Sequence, residues 1–96
     1  MGTFHVVVRF ELSAGEVERL KPIVKDFFES EVSKFPGFIS AKFHENEDKS
    51  VFLNYASWES KEAYSKFLEE VGMKSERAKK VFEFNPSADQ VHHIEL

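Results

Sequence analysis

Two strand-like segments in the middle of the chain, separated by a short polar turn, limit the folds that the rest can adopt. The segments FISAKFHE (Phe38–Glu45) and VFLNYASW (Val51–Trp58) are rich in aromatic and β-branched residues, and the polar run NEDK lies between them. Two such runs joined by a short polar loop predict an antiparallel hairpin. An isolated hairpin is marginally stable in water, so this one must pack against other elements.

A helical pattern directly follows the hairpin. In ESKEAYSKFLEEVG, the residues Tyr64, Phe67, Leu68 and Val71 recur at the i, i+3, i+4, i+7 spacing of one helix face. Gly72 is a typical residue for the end of a helix. The hairpin therefore leads into an amphipathic helix.

A second helical pattern precedes the hairpin. Ser13 and Glu16 have the spacing of a capping box. Pro22 removes one backbone donor, so we expect either a kink there or a short turn in which Pro22 opens the main helix. The sequence FPG, which ends at Gly37, predicts the end of this helix. Apolar residues recur at roughly helical intervals: Val17, Leu20, Val24, Phe27, Phe28 and Phe35.

The ends of the chain complete the pattern. TFHVVVRFEL (residues 3–12) predicts a first strand, SERAKKVFEF a short helix, and DQVHHIEL (residues 89–96) a last strand. The order β-α-β-β-α-β is typical of an α+β ferredoxin-like fold, an antiparallel sheet with its helices on one face. A length of 96 residues predicts one domain, residues 1–96.

The face of the sheet that the helices leave uncovered predicts self-association. Alternation along the third strand places Val51, Leu53 and Tyr55 on that face. A bare apolar sheet face is a liability in a monomer. We therefore expect a homodimer in which two sheets pack back to back.

Composition excludes several classes of function. A net charge of −4 argues against nucleic acid as a partner, and no apolar run approaches the roughly 20 residues that span a bilayer. The chain has no cysteine, a leader-like N-terminus is absent, and a cytoplasmic location fits both observations.

No glycine-rich phosphate loop supports a nucleotide or flavin cofactor. His92 and His93 are adjacent on a predicted strand and point to opposite faces, so no metal site is expected.

Three side chains near the junction of the third strand and the following helix are candidates for chemistry. Asn54 and Trp58 share one face of the strand by alternation, and Tyr64 lies about one and a half turns into the helix. Asn is disfavoured within strands and needs hydrogen-bond partners when buried. His44 reaches the same cleft if the hairpin register sets it opposite Phe52. Such an aromatic pair more often serves packing than catalysis, and Asn54 could equally satisfy a local backbone irregularity, so the residues by themselves leave these alternatives open.

The segment FPGFISAKFHENEDKSVFLNYASWESKEAY resembles the signature region of the antibiotic biosynthesis monooxygenase family, within the dimeric α+β barrel superfamily. The shared elements are PGF before the second strand, His44 near its end, NYA-WES from Asn54 onward, and EAY ending at Tyr64. His44, Asn54, Trp58 and Tyr64 match the spacing of cofactor-independent family members that oxidise anthrone-type polyketides. Arg77 matches a further active-site arginine after a shift of one residue.

The resemblance implies a cofactor-independent monooxygenase, without metal, haem or flavin, that uses O₂ to oxidise an electron-rich phenolic or anthrone-like aromatic to a quinone. Trp58 would form a flat wall, while Asn54 and Tyr64 would donate hydrogen bonds to the developing anion. Arg77 would favour that anion, and His44 is the candidate base. The expected partners are a small aromatic substrate, O₂ and a second copy of the chain, and neither nucleic acid nor a membrane.

Other functions are known on the same architecture. Haem-degrading relatives depend on an Asn, a Trp and a His where this chain has Val8, Phe67 and Arg77, so haem degradation is not expected. A small-ligand-binding barrel without oxygenase activity remains an alternative. A quinol monooxygenase in stress protection is another, with the same oxidant and a different substrate.

Overall fold

The computed structural model describes residues 3–92 and 94–96. Four strands form one antiparallel sheet in the order β2-β3-β1-β4, the strand order of a ferredoxin-like fold. The strands are β1 (Phe4–Glu11), β2 (Phe38–Glu45), β3 (Val51–Trp58) and β4 (Ser87–Val91). The helices are α1 (Glu16–Phe27), α2 (Lys61–Phe67) and α3 (Glu76–Phe82), and α1 and α2 continue into the π-helical turns Phe28–Val32 and Leu68–Gly72. The predicted α+β ferredoxin-like class is confirmed.

The helices cover one face of the sheet, as the alternation along β3 predicted. Phe52, Asn54, Ala56 and Trp58 are buried, whereas the residues between them are only partly buried. The buried face packs against residues of all three helices, among them Leu20, Phe67 and Ala78. Asn54 is therefore a polar residue inside an otherwise apolar layer.

The start of the first helix follows its sequence signal, and its middle decides against one of the two alternatives for Pro22. The backbone N–H of Ser13 donates to Glu16 Oε1 at 2.7 Å, which is one half of the predicted capping box. Pro22 lies inside α1, which runs unbroken from Glu16 to Phe27, so the alternative in which Pro22 opens the helix is wrong. Pro22 is exposed, and water can bond the Glu18 carbonyl that the proline leaves without its usual donor.

The last strand begins two residues earlier and ends five residues earlier than predicted. β4 pairs with β1 from Ser87, opposite Arg9, to Val91, opposite His5. Because β1 begins at Phe4, its backbone offers almost no partner beyond Val91. The predicted strand residue His93 lies outside the described residues, and the argument that His92 and His93 face opposite ways stays a prediction.

No helix in the described part of the chain is long and apolar enough to cross a membrane.

Candidate functional site

A cavity of about 450 Å³ lies between the inner face of the sheet and the helices. Its floor includes one residue from each strand, namely Phe43, Asn54, Val8 and Ala88, which are cross-strand neighbours in that order. Adjacent strands lie about 4.8 Å apart, so this row extends roughly 14 Å across the sheet. The cavity therefore borders all four strands, and Asn54 is one of the two inner members of this row.

Asn54 carries the buried polar group of this floor. The residue is 6% exposed, and its Oδ1 atom has no hydrogen-bond partner among the described residues. A buried polar atom left unpaired costs about 1–3 kcal/mol. A side chain that loses this free energy in the fold and borders a cavity is well placed to bind a ligand.

Trp58 forms an aromatic wall of the same cavity, four residues along β3 from Asn54. Its side chain is 2% exposed, and its ring centroid lies 5.0 Å from Phe67, 5.4 Å from Phe38 and 5.6 Å from Tyr64. These aromatic neighbours hold the indole in one orientation. Trp58 both packs in the hydrophobic core and lines the cavity, so a packing role and a role in the site are compatible.

Tyr64 reaches the cavity from α2, whose first turn fixes its direction. Ser60 caps the helix by accepting a hydrogen bond from the Ala63 N–H at 3.1 Å, and the Tyr64 N–H donates to the Ser60 carbonyl at 3.2 Å. The Tyr64 ring also lies 5.6 Å from Phe4. Burial raises the pKa of the Tyr64 hydroxyl above its ordinary 10.0, so it remains a hydrogen-bond donor at neutral pH.

Gly37 allows α2 to approach the start of β2. Its φ is +96°, and a Cβ at this position would lie 2.5 Å from the Cβ of Ala63. The Gly37 carbonyl accepts a hydrogen bond from the Glu59 N–H at 2.7 Å, just before α2 begins. This glycine therefore helps to set the distance between Tyr64 and the sheet.

His44 does not line this cavity. The predicted register has His44 opposite Phe52, but the structure pairs His44 with Leu53 on the outer face and leaves it exposed. A bulge is the reason: Phe38 pairs with Trp58 as that register requires, and the extra residue Ile39 then shifts the rest of β2 by one position. The register on which the prediction for His44 depended is therefore not the one that the structure has.

Arg77 lies outside the cavity wall as well. Its Nε atom donates to Asp26 at 2.8 Å, and its Nη1 atom lies 3.5 Å from a Glu31 carboxylate oxygen. The hydrogen bond to Asp26 raises the pKa of the guanidinium further above its ordinary range. In the described conformation Arg77 therefore links α3 to α1 and to the turn that follows α1.

Sequence reasoning missed several residues of the wall. Phe28, Phe43, Phe82 and Asn85 line the cavity, and Phe43 and Phe82 are 42% and 45% exposed. Phe43 is the cross-strand neighbour of Asn54, which only the register could disclose. The sequence signal available for Phe82 and Asn85 was their place at the end of a short helix before Pro86.

The wall is almost free of charge. Among the described residues that line it, Tyr64 is the one with an ionisable side chain. Nor does the described part of the chain hold a group of three His, Cys, Asp or Glu residues placed to bind a metal ion. The arrangement can enclose a flat apolar molecule and offer it a few neutral hydrogen-bonding groups.

Comparisons with known proteins agree with this architecture. The sequence model of the family described as "Antibiotic biosynthesis monooxygenase" matches residues 3–79. A search of curated proteins gave no significant match.

Solved structures of several proteins share the fold. A monooxygenase from the gene ActVA-Orf6 of Streptomyces coelicolor, in complex with nanaomycin D, is 23% identical, with a TM-score of 0.79 over 97% of this chain and 88% of that one. SnoaB, a cofactor-independent oxygenase from Streptomyces nogalater, is 14% identical as its N63A mutant, with a TM-score of 0.83 over 100% and 97% of the two chains. PA3566 from Pseudomonas aeruginosa is 14% identical, with a TM-score of 0.75 over 99% and 97%. At these identities the likeness establishes the fold.

Proposed function

This chain belongs to the antibiotic biosynthesis monooxygenase family, and on that premise we propose that it uses O₂ to oxidise an electron-rich phenolic or anthrone-like aromatic to a quinone, without metal, haem or flavin. The observation that carries the proposal is the unpaired, buried Oδ1 of Asn54 in an apolar cavity beside Trp58 and Tyr64. Such a cavity suits a flat aromatic molecule with one or two polar substituents. The two Streptomyces oxygenases with the same fold give further support.

The proposed reaction needs no electrons from the protein. An anthrone loses a proton from its CH₂ carbon to give an enolate, which passes one electron to O₂. The two radicals combine to form a C–O bond, and protonation of the outer oxygen gives a hydroperoxide. Loss of the second hydrogen from that carbon as a proton breaks the O–O bond and releases water. One oxygen atom thus enters the quinone, and the other leaves as water.

The residues of the cavity would act on the charge that develops on the substrate. The hydroxyl of Tyr64 and the Nδ2 of Asn54 would donate hydrogen bonds to oxygens of the enolate, where an apolar environment strengthens them. The unpaired Oδ1 of Asn54 would accept a hydrogen bond from a phenolic hydroxyl of the substrate. Trp58 would hold the ring system flat against the wall. Together they would lower the pKa of the bound substrate.

On this proposal the bound substrate loses its proton without the help of a side-chain base. The pKa of Tyr64 is ordinarily 10.0 and burial raises it, so this hydroxyl keeps its proton at neutral pH, and no other ionisable side chain is found among the described wall residues. We therefore propose that a solvent species accepts the proton from a substrate that the cavity has made more acidic. On this proposal the rate rises with pH until the bound substrate is fully ionised.

We propose that the protein is a homodimer formed through the outer face of the sheet. Val7, Leu53 and Tyr55 lie on that face and are only partly buried in the single chain. Val7 of β1 pairs with Tyr55 of β3 across the two strands. Burying such a surface against a second copy would remove apolar area from water. We also propose a cytoplasmic location, in keeping with a sequence that contains no cysteine.

The decisive experiment measures O₂ consumption and quinone formation with a simple anthrone in metal-chelated buffer. One O₂ consumed for each quinone formed, well above the rate without protein, is the expected result. Binding of the anthrone without O₂ consumption would instead favour the ligand-binding alternative. Turnover of a reducing quinol and not of anthrones would favour the quinol monooxygenase.

A further inference from the structure

A second concavity lies beside the cavity, at the edge of the sheet formed by β2. It is an open groove of about 600 Å³, which we call the β2 groove. The cavity and the β2 groove have four wall residues in common: Val24, Phe28, Phe43 and Phe52. The two spaces therefore adjoin along these four residues, three of them aromatic, which we call the partition.

Phe43 is the member of this partition that solvent reaches most easily. Its ring packs edge-to-face against Phe28, with centroids 5.0 Å apart, and stacks on Phe52 at 5.8 Å. Phe43 is 42% exposed, whereas Phe52 is 6% exposed. Moving or shortening the Phe43 side chain disturbs the core less than the same change in Phe52.

Phe43 also lies next to the polar group of the cavity. It pairs with Asn54 across the β2–β3 ladder, and both side chains are on the inner face. A ligand that hydrogen-bonds to Asn54 and extends toward the edge of the sheet meets the Phe43 ring. The same ring also lines the β2 groove, whose residues on β2 extend from Phe43 to Glu45.

We propose that Phe43 sets the length of the aromatic ligand that the cavity accepts. Removal of its ring joins the cavity to the β2 groove and makes room for a further ring of a linearly fused polycyclic quinone or phenol. The inference rests on the proposed function, because it assumes that the cavity binds such aromatics. It identifies the residue that separates shorter from longer members of that class.

The charges of the β2 groove favour a neutral occupant. Lys21 lies 3.0 Å from Glu45, and the other charged residues of its wall are Lys25 and Glu29. The two cations thus balance the two carboxylates, with His44 beside them. An uncharged ring edge with hydroxyl or carbonyl groups suits this lining, and a strongly anionic tail gains no net attraction.

The test compares two neutral ligands of different length. Binding of 1,8-dihydroxyanthraquinone, with three fused rings, and of 6,11-dihydroxynaphthacene-5,12-dione, with four, is measured by quenching of Trp58, the only tryptophan in the sequence. The proteins are the wild type, Phe43→Ala and Ile39→Ala. Ile39 is the matched control, because it lies on the same strand, is 47% exposed and is absent from both walls.

We expect Phe43→Ala to shift the affinity ratio toward the four-ring ligand by about tenfold or more, and Ile39→Ala to leave the ratio unchanged. Phe43→Leu, which keeps an apolar side chain at this position, carries the same test if the alanine variant does not fold. Binding of the three-ring ligand with an unchanged ratio in both Phe43 variants overturns this inference and leaves the proposed function intact. Failure of the wild type to bind either ligand overturns both.

Discussion

The rings of Trp58 and Tyr64 lie 5.6 Å apart at an interplanar angle of 64°, although Trp58 ends β3 and Tyr64 belongs to α2. The turn between them, capped by Ser60, brings an aromatic wall and a protonated phenol to the same side of one cavity. Asn54 lies on the same face of β3 as Trp58, four residues before it in the sequence. These three side chains come from one continuous stretch of the chain.

The unpaired amide oxygen of Asn54 predicts that its substitution has a large effect on activity and a small effect on stability. We expect Asn54→Ala to lower the rate of anthrone oxidation by about 10²-fold, since it removes a donor to the developing anion. Its free energy of unfolding should remain within about 1 kcal/mol of the wild type, because the substitution also removes a buried polar atom that has no partner. Oxygen uptake and denaturant titration measure the two quantities. Ser57→Ala, on the outer face of the same strand, is the control, and an Asn54→Ala protein with full activity would exclude Asn54 from the mechanism.

The raised pKa of Tyr64 predicts a late step in an alkaline titration. The sequence has two tyrosines, and we expect the tyrosinate absorbance of Tyr64 to develop above pH 10, after the value ordinary for the side chain. Because the folded protein retains this proton where the unfolded chain releases it, the contribution of Tyr64 to stability is complete below pH 10 and is lost as the pH rises further. Tyr64→Phe should remove the late step and slow anthrone oxidation about tenfold. An unchanged titration curve in this variant would show that the late step belongs to another group.

Gly37 predicts a large loss of stability from a small substitution. Gly37→Ala places a methyl group against Ala63 and forces a non-glycine residue to a φ of +96°, so we expect the free energy of unfolding to fall by about 2 kcal/mol or more. Gly15→Ala is the matched control, because its φ is +84° and its added methyl group meets no atom within 4 Å. Thermal unfolding of the two variants separates the steric from the conformational cost. Equal destabilisation of both would mean that α2 moves away without penalty.

The ion pairs of Arg77 predict that substitution of this residue changes the stability of the protein and not its catalytic rate. Arg77→Ala should lower the melting temperature slightly at low salt and less at high salt, because exposed ion pairs are screened. The kcat for anthrone oxidation should change by less than about threefold, as the side chain lies outside the cavity wall. Lys80→Ala, on the same helix, provides the comparison. A loss of kcat of a hundredfold at an unchanged melting temperature would place the guanidinium at the substrate.

The outer face of the sheet predicts dimer dissociation by a single charge. Leu53→Arg would put a cation on the partly buried outer face of β3, and we expect it to convert a dimer into a monomer at micromolar concentration. Size-exclusion chromatography with light scattering gives the mass of each species. Lys61→Ala, at the start of α2, serves as the control. A wild-type protein that elutes as a clean monomer would contradict the proposed dimer.

Much of the fold follows from local patterns. The bounds of β2 and β3 agree with the prediction, because alternating aromatic and β-branched residues and a polar turn are local signals. The burial of Asn54 and Trp58 on the helix-covered face follows from the same alternation. The choice between the two alternatives for Pro22 does not follow, since it depends on whether packing of the buried face of α1 outweighs one lost hydrogen bond.

The sequence by itself determined the order of the elements, the helix-covered face of β3 and the group of Asn54, Trp58 and Tyr64, all of which depend on periodicities within short segments. The tertiary structure decided which residues meet across segments. One extra residue at Ile39 shifts β2, so that Phe43 and not His44 lies beside Asn54. Likewise, Arg77 pairs with Asp26 of α1 and Glu31 of the turn that follows, outside the cavity wall. Strand register and ion-pair partners depend on contacts between distant parts of the chain, and no local pattern encodes them.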